Sequence, residues 1–396
     1  MAPERLVLRT RLSEAFGIEY PVLQSGMGTV AGPDLAAAVS EAGGLGILAA
    51  SNLPADEIRG DIREIRRRTD RPFGVNLLIP AEARPPAAAG DISEETVRAV
   101  QAALDPMRTA LDLPPASTRP TPPRDLIPDA LRVILEERVA VLSVGLGNPG
   151  ADLVTECHRR GIKVIAMVTT VEDARAVEAA GVDAVVAQGG EAGGHRSHFA
   201  KPRSSELGAV GTLTLVPQVV DAVRVPAIAA GGIADGRGVV AALALGASGV
   251  MIGTRFAATR ESMAPEMYKK AMVESAGDAT TITDAFSGRF ARVLRNEFTQ
   301  RYAASRAPVL PYLWQGSAAG DIHQEAAAQG VRDYFPLWAG QSVGLVHNLP
   351  DAAEVLETIV GEARRLLVEL PRSVALGDVR RATGLGRGVP PGLPGS

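Results

Sequence analysis

One cysteine stands in 396 residues, and a disulfide needs two. The chain therefore has to hold its fold by core packing, and such thiol usage favours a cytoplasmic setting. That cysteine, Cys157, lies in the helical-looking ADLVTECHRR and reads as a packed helix residue rather than a nucleophile. Long apolar runs are missing as well. Although 46% of the residues are hydrophobic, none of the runs reaches the roughly 18 residues that a membrane-spanning helix needs. The N-terminal MAPERLVLRTRLSEAF lacks the apolar core of a secretory signal. Neither sign of charge dominates, with 41 basic and 45 acidic residues and a net charge of −4. That balance gives no footprint for nucleic acid or for an acidic membrane. Small molecules are the expected partners, and a monomer or homodimer is the expected assembly.

What the chain does have is strand–helix alternation. Eight short apolar runs predict strands at 20–25, 45–50, 73–78, 139–144, 163–168, 184–188, 227–230 and 249–252. Helical patterns at 33–42, 55–69, 150–160, 171–180, 215–222 and 236–245 separate most of them, and several end on glycine. Such alternation implies parallel pairing, and eight units close into a TIM (β/α)8 barrel, an α/β fold. An open dinucleotide-binding sheet is the competing architecture, but QSGMGTVAG after the first strand matches its glycine turn only in part. Residues 1–262 are expected to form the barrel. Within them, 80–128 form a Pro-rich insert with a short helix at 94–110, placed after the third strand and so over the barrel mouth. Residues 263–337 read as a second, mostly helical domain that caps the substrate. Residues 338–372, with a helix at 351–370, close the fold, and 373–396 read as a disordered tail.

The chemistry gathers at the strand ends. In DAVVAQGGEAGGHRSH (183–198) an apolar run stops in glycines, a carboxylate and two histidines; VPAIAAGGIADGRG and SGVMIGTRF repeat the pattern downstream. Gly231 and Gly232 let backbone N–H groups approach an anion, and Gly253 with Thr254 adds an amide and a hydroxyl. The loops after the last two barrel strands often bind phosphate, of a substrate or of FMN; the plainer reading is tight turns. Asn76 and Gln188 end apolar strands and could face a ligand or satisfy neighbouring backbone. Met27 could pack on a flat ring or in the core. His195, after Gly193 and Gly194, could serve as a general base or donate to an anion, because imidazole titrates near neutral pH. The plainer reading is a loop histidine bonded to a carbonyl. His198 lies three residues on, but no third ligand stands near, so no metal is expected. His158, His198, His323 and His347 carry no expected catalytic role, and Glu191 is expected to orient the loop.

AGPDLAAAVSEAGGLG, RPFGVNLL, VVAQGGEAGGHR, AAGGIADGRG, MIGTRFAATRES and LWAGQSVGL together resemble the nitronate monooxygenases, over about residues 12–370. The resemblance implies an FMN-dependent barrel that oxidises alkyl nitronates with O2 to a carbonyl compound and nitrite. It implies that Met27, Asn76, Gln188, Gly193, Gly231, Gly232, Met251, Gly253 and Thr254 contact FMN. His195 would bind the nitronate or deprotonate a neutral nitroalkane. Three departures stand out: QSGMG replaces an APM sequence, Gly145 replaces a second histidine, and Gly316 and Gly320 replace a tyrosine and a lysine. Tyr312 matches one family tyrosine, and Arg196 is the side chain best able to compensate for lost charge. A larger or less polar substrate than a small carboxylated nitronate is then expected. FMN-dependent enoyl-acyl-carrier-protein reductases and NAD(P)H:quinone reductases share these features, which keeps NAD(P)H-dependent reduction as the alternative.

Overall fold

The computed structural model describes residues 8–80, 86–116, 119–200 and 210–373; the tail expected to be disordered falls outside them, except for its first residue. The barrel strands are β1 Val22–Gln24, β2 Ile47–Ala49, β3 Gly74–Leu78, β4 Val141–Gly145, β5 Lys163–Val168 and β6 Ala184–Gln188. After a two-residue strand, β7 Gly194–His195, come β8 Ala227–Ala230 and β9 Gly249–Ile252. The eight parallel strands are joined in the order β1-β9-β8-β6-β5-β4-β3-β2, and a bridge between Leu23 and Leu45 brings the two edges together. Gln24 completes this seam. Its fully buried amide accepts from Ile47 N at 2.9 Å and donates to Ile47 O at 3.2 Å, standing in for a backbone pair.

The last four barrel strands coincide with the expected runs, and the first four differ by a residue or two at their ends. Most helices agree similarly. The helix expected from 215 starts at Thr212, because the Glu191 carboxylate accepts from Thr212 N and Oγ1, both at 2.8 Å, and so satisfies the first turn. The helix Ile127–Glu137, which leads into β4, was not expected; its Pro128 sits where a first-turn proline is tolerated.

One end of the barrel is plugged. Leu12, Phe16 and Ile18 join Leu23, Ile47, Val141, Ile165, Val186, Ile228 and Met251 in an interior apolar cluster. Each such side chain, fully buried, contributes about 1.5–3 kcal/mol. Gly249 admits the plug, since a Cβ there would lie 2.4 Å from Leu12 Cδ2. Inward-facing polar residues stand at the other, C-terminal end, where Asn76 Nδ2 donates to Ser143 Oγ at 3.1 Å and Ser143 O at 3.2 Å.

A second core lies beyond that mouth. The helix Glu94–Thr109 of the insert contributes Val97, Val100, Leu104 and Met107 to a cluster with Phe286, Phe298, Trp314 and Ile322. Arg108, 1% exposed, donates to Asp321 at 2.7 Å, Asp105 at 2.9 Å and Ala318 O at 2.7 Å, joining the insert to the cap. The cap is mostly helical but carries an antiparallel hairpin, β10 Thr280–Thr283 and β11 Ala291–Leu294. The far edge of β11 pairs with β7, Ala291 opposite His195 and Arg292 opposite Gly194. The closing helix, Ala352–Ser373, packs on the barrel helix Gly236–Ala244, with Gly236 allowing close approach to Ala363.

Candidate active site

His195 stands where barrel and cap meet. The loop after β6 carries it outward, and pairing with β11 makes Gly194–His195 a strand. Gly194 takes a φ of +72°, which turns the chain into that pairing. Gly193 permits a close approach instead: a Cβ there would lie 2.4 Å from Gly340 N, in the segment whose Gln341 N donates to Glu191 O at 2.9 Å. Gln188 braces the loop from below. Its Nε2 donates to His195 O at 2.9 Å and its Oε1 accepts from Ser197 N at 2.9 Å.

The His195 ring lies 5.2 Å from Trp338, tilted by 33°, and edge-on to Tyr312 at 5.8 Å. Its Nε2 is 2.8 Å from Ser287 Oγ. Burial among these groups lowers its pKa from 6.5 to about 4, and among the described residues no carboxylate bonds it. The ring is therefore neutral across the physiological range and able to accept a proton. Burial raises the Tyr312 pKa to about 12 while the charge of Arg289 opposes the rise, so Tyr312 stays a phenol.

Gly231 and Gly232 take φ of +104° and +73°. The backbone N–H groups of Gly231, Gly232, Gly253 and Thr254 find no acceptor among the described residues. They lie beside the barrel mouth, as an anion cradle would. The Thr254 hydroxyl accepts from Gly340 N at 2.9 Å and keeps its own proton to donate. Met27 Sδ would be 3.5 Å from a Cβ on Gly253, so the thioether borders the same cradle. Met251 belongs to the barrel interior and is 3% exposed. Asn76 donates through Nδ2 to Ser143 Oγ and O, and its side chain packs against Gly26, where a Cβ would lie 2.3 Å from Asn76 Cβ.

The direction of Arg196, the side chain best able to compensate for lost charge, is set by backbone carbonyls. Its guanidinium is 3% exposed and donates to Gly189 O at 2.6 Å and Gln188 O at 3.2 Å, tying the loop to the end of β6. Burial lowers its pKa to about 10, with the charge of Arg292 in the same direction and Glu191 opposing. His198 is also separated from His195, its Nδ1 lying 2.7 Å from Thr169 Oγ1. Among the described residues no three His, Cys, Asp or Glu side chains gather as metal ligands. Cys157 is buried in the helix Ala151–Arg159 with its pKa raised to about 11 by burial.

The sequence model of the family described as nitronate monooxygenase matches residues 9–362. This chain belongs to that family. A probable nitronate monooxygenase of Staphylococcus saprophyticus is 36% identical over 360 residues, 91% of this chain and 99% of that one. A probable nitronate monooxygenase of Staphylococcus aureus is 35% identical over 359 residues, 91% and 98% of the two chains. Among solved structures, a nitroalkane oxidase from Streptomyces ansochromogenes superposes with a TM-score of 0.81 at 35% identity, covering 91% of this chain and 99% of its own. FabK from Thermotoga maritima superposes at 0.72 with 34% identity, covering 92% and 99%. The nitronate monooxygenase family is one of flavin-dependent oxidoreductases, and this chain is such an enzyme.

Ser287 and Trp338 were missed as site residues in the sequence. A signal for the first existed: TTIT and ARVL, rich in β-branched residues, flank the turn-rich DAFSGRF, a hairpin pattern inside a segment read as mostly helical.

Proposed function

We propose that the enzyme uses FMN and O2 to oxidise alkyl nitronates to a carbonyl compound and nitrite. His195 binds the nitronate or removes the proton that converts a neutral nitroalkane into one. The observation that carries this reading is the His195 imidazole set beside Tyr312 and Trp338 at the barrel mouth, with no carboxylate partner among the described residues and burial that keeps it neutral. The unpaired amides of Gly231, Gly232, Gly253 and Thr254 fit one phosphate, which favours FMN over a dinucleotide flavin. Met27, Asn76, Gln188 and Gly193 would border its ring system, and Met251 would underlie it from the barrel interior. Bound there, FMN supplies the acceptor for the substrate's electrons and the centre at which O2 reacts.

The chain's own work is deprotonation, positioning and exclusion of water. General-base catalysis contributes on the order of 10²–10⁴-fold, and only neutral nitroalkanes need it. Replacing His195 by Asn should leave flavin binding intact and reduce turnover of nitroethane far more than turnover of preformed ethyl nitronate. Equal rates before and after substitution on both forms would remove His195 from the mechanism. Flavin released on denaturation should chromatograph as FMN; recovery of FAD would refute the single-phosphate reading.

The aromatic walls favour an alkyl group. A Cβ at Gly316 would have only Phe286 O near, at 3.6 Å, and Gly320 has open space, so neither offers a donor where a side chain would fit. With Arg196 committed to carbonyls, a substrate carboxylate forfeits about 1.5–3 kcal/mol, or roughly 10- to 150-fold in affinity. Alkyl nitronates should therefore exceed propionate 3-nitronate in kcat/KM. The second reading is NAD(P)H-dependent reduction of an enoyl or quinone substrate, favoured by the likeness to FabK. Anaerobic stopped-flow mixing decides between them: flavin bleaching by ethyl nitronate supports the first, and bleaching by NADPH the second.

A further inference from the structure

We infer that Ser287 is a positioning residue that sets which nitrogen of His195 takes the proton: it holds the ring with hydrogen on Nε2 and leaves Nδ1 as the base. The inference rests on His195 being the proton-handling group.

Three hydrogen bonds account for the Ser287 hydroxyl. It donates to Arg289 O at 3.1 Å, accepts from Arg289 N at 3.3 Å, and lies 2.8 Å from His195 Nε2. A hydroxyl has one proton and two lone pairs. All three contacts are satisfied together only when the proton goes to the Arg289 carbonyl and the oxygen accepts from Nε2. Nε2 then carries the single hydrogen of the neutral ring, and Nδ1 carries the lone pair. Among the described residues Nδ1 has no hydrogen-bond partner, and it is not among the buried unpartnered atoms, so it is open to a ligand.

The serine is held firmly enough to impose this. It sits in the seven-residue loop of the β10–β11 hairpin, four positions before Ala291, the residue opposite His195. Gly288 N donates to Asp284 O at 2.8 Å, and Leu313 N donates to Ser287 O at 3.1 Å. Gln315, fully buried, donates to Ala285 O at 2.9 Å and accepts from Leu310 N at 3.0 Å. Gly288 has φ of +86°, and a Cβ there would lie 2.5 Å from Leu310 O, so loop and Tyr312 segment are packed backbone to backbone. When Nδ1 takes a proton, the Nε2–H···Oγ bond becomes charge-assisted and strengthens. The charged and titratable neighbours are Tyr312, edge-on to the ring, and Arg289 on the same loop.

The test is histidine-selective 15N NMR on FMN-loaded enzyme, with the His195 signals assigned by their loss in His195→Asn. The wild type should show the Nε2–H tautomer. Ser287→Ala should move it toward Nδ1–H or a mixture, and Ser287→Thr, which keeps the hydroxyl, should restore it. In parallel, kcat/KM on nitroethane should fall at least about tenfold in Ser287→Ala and recover in Ser287→Thr, with ethyl nitronate turnover falling less than that on nitroethane. An Nδ1–H tautomer in the wild type overturns the proposal and needs no variant to fold. So does an unchanged tautomer in Ser287→Ala. If the tautomers behave as expected but neither nitroethane nor ethyl nitronate is consumed, the nitronate reading fails while the role of Ser287 stands.

Discussion

Replacing His323 by Phe should make the enzyme less sensitive to acid. The imidazole of His323 packs against the stacked pair of Phe286, at 5.3 Å, and Phe298, at 5.2 Å, in the cap core, and its Nε2 is buried without a partner. Burial lowers its pKa from 6.5 to about 4, with the Asp321 charge opposing. A histidine whose native pKa is depressed binds its proton more readily when unfolded. Its penalty is absent above about pH 6.5, grows as pH falls, and is complete below about pH 4. At pH 5 the unfolded chain has gained most of a proton over some 1.5 pH units while the native ring has not. At about 1.36 kcal/mol per unit this is about 2 kcal/mol. His323 keeps partial solvent contact, so that is an upper value. With an unfolding entropy of about 2.1 cal/mol/K per residue, a chain of 396 residues loses about 2 °C in Tm. Calorimetry of both proteins at pH 8 and pH 5 measures it. The drop between the two pH values should be about 2 °C smaller in His323→Phe, and altered packing by Phe enters equally at both. Equal drops would refute the buried-imidazole argument.

Two further outcomes follow from the site. Because burial holds His195 near pKa 4, kcat/KM for a neutral nitroalkane should stay level down to about pH 5 and fall only as the ring protonates near pH 4; an acidic limb between pH 6 and 7 would mean that the ring is solvated. Gly193→Ala should cut turnover at least about tenfold with circular dichroism preserved, since the new Cβ meets Gly340 N at 2.4 Å and Ala339 C at 2.6 Å; wild-type kinetics would show that this contact does not hold the loop.

The barrel was legible because its signals are local. Val185 and Val186 run straight into Gln188 and the glycines, so both the strand and its end can be read within a few residues. The loop carrying His195 is legible for the same reason. What could not be read depends on partners distant in sequence. Ser287 lies 92 positions from His195 and reaches it only through the β7–β11 register. Gln24 reads as one polar residue in an apolar strand, and only closure of the barrel gives its amide the backbone of Ile47. The direction of Arg196 could not be read either. Its guanidinium is held by the carbonyls of Gln188 and Gly189 at the end of β6, a partnership that only the folded loop creates.

These long-range partners explain why the cap belongs to the chemistry. Gly194–His195 is too short to be a strand by itself, and β11 makes it one. The same edge of β11 bridges Val293 to Trp338, and Leu294 N donates to Leu337 O at 2.8 Å. One cap strand thus sets the His195 backbone and the aromatic ring beside it, and its hairpin loop brings Ser287 to the imidazole. The barrel supplies the amides for an anion, while the cap sets the histidine's orientation. A change that loosens the cap should therefore misorient the base before it releases the flavin.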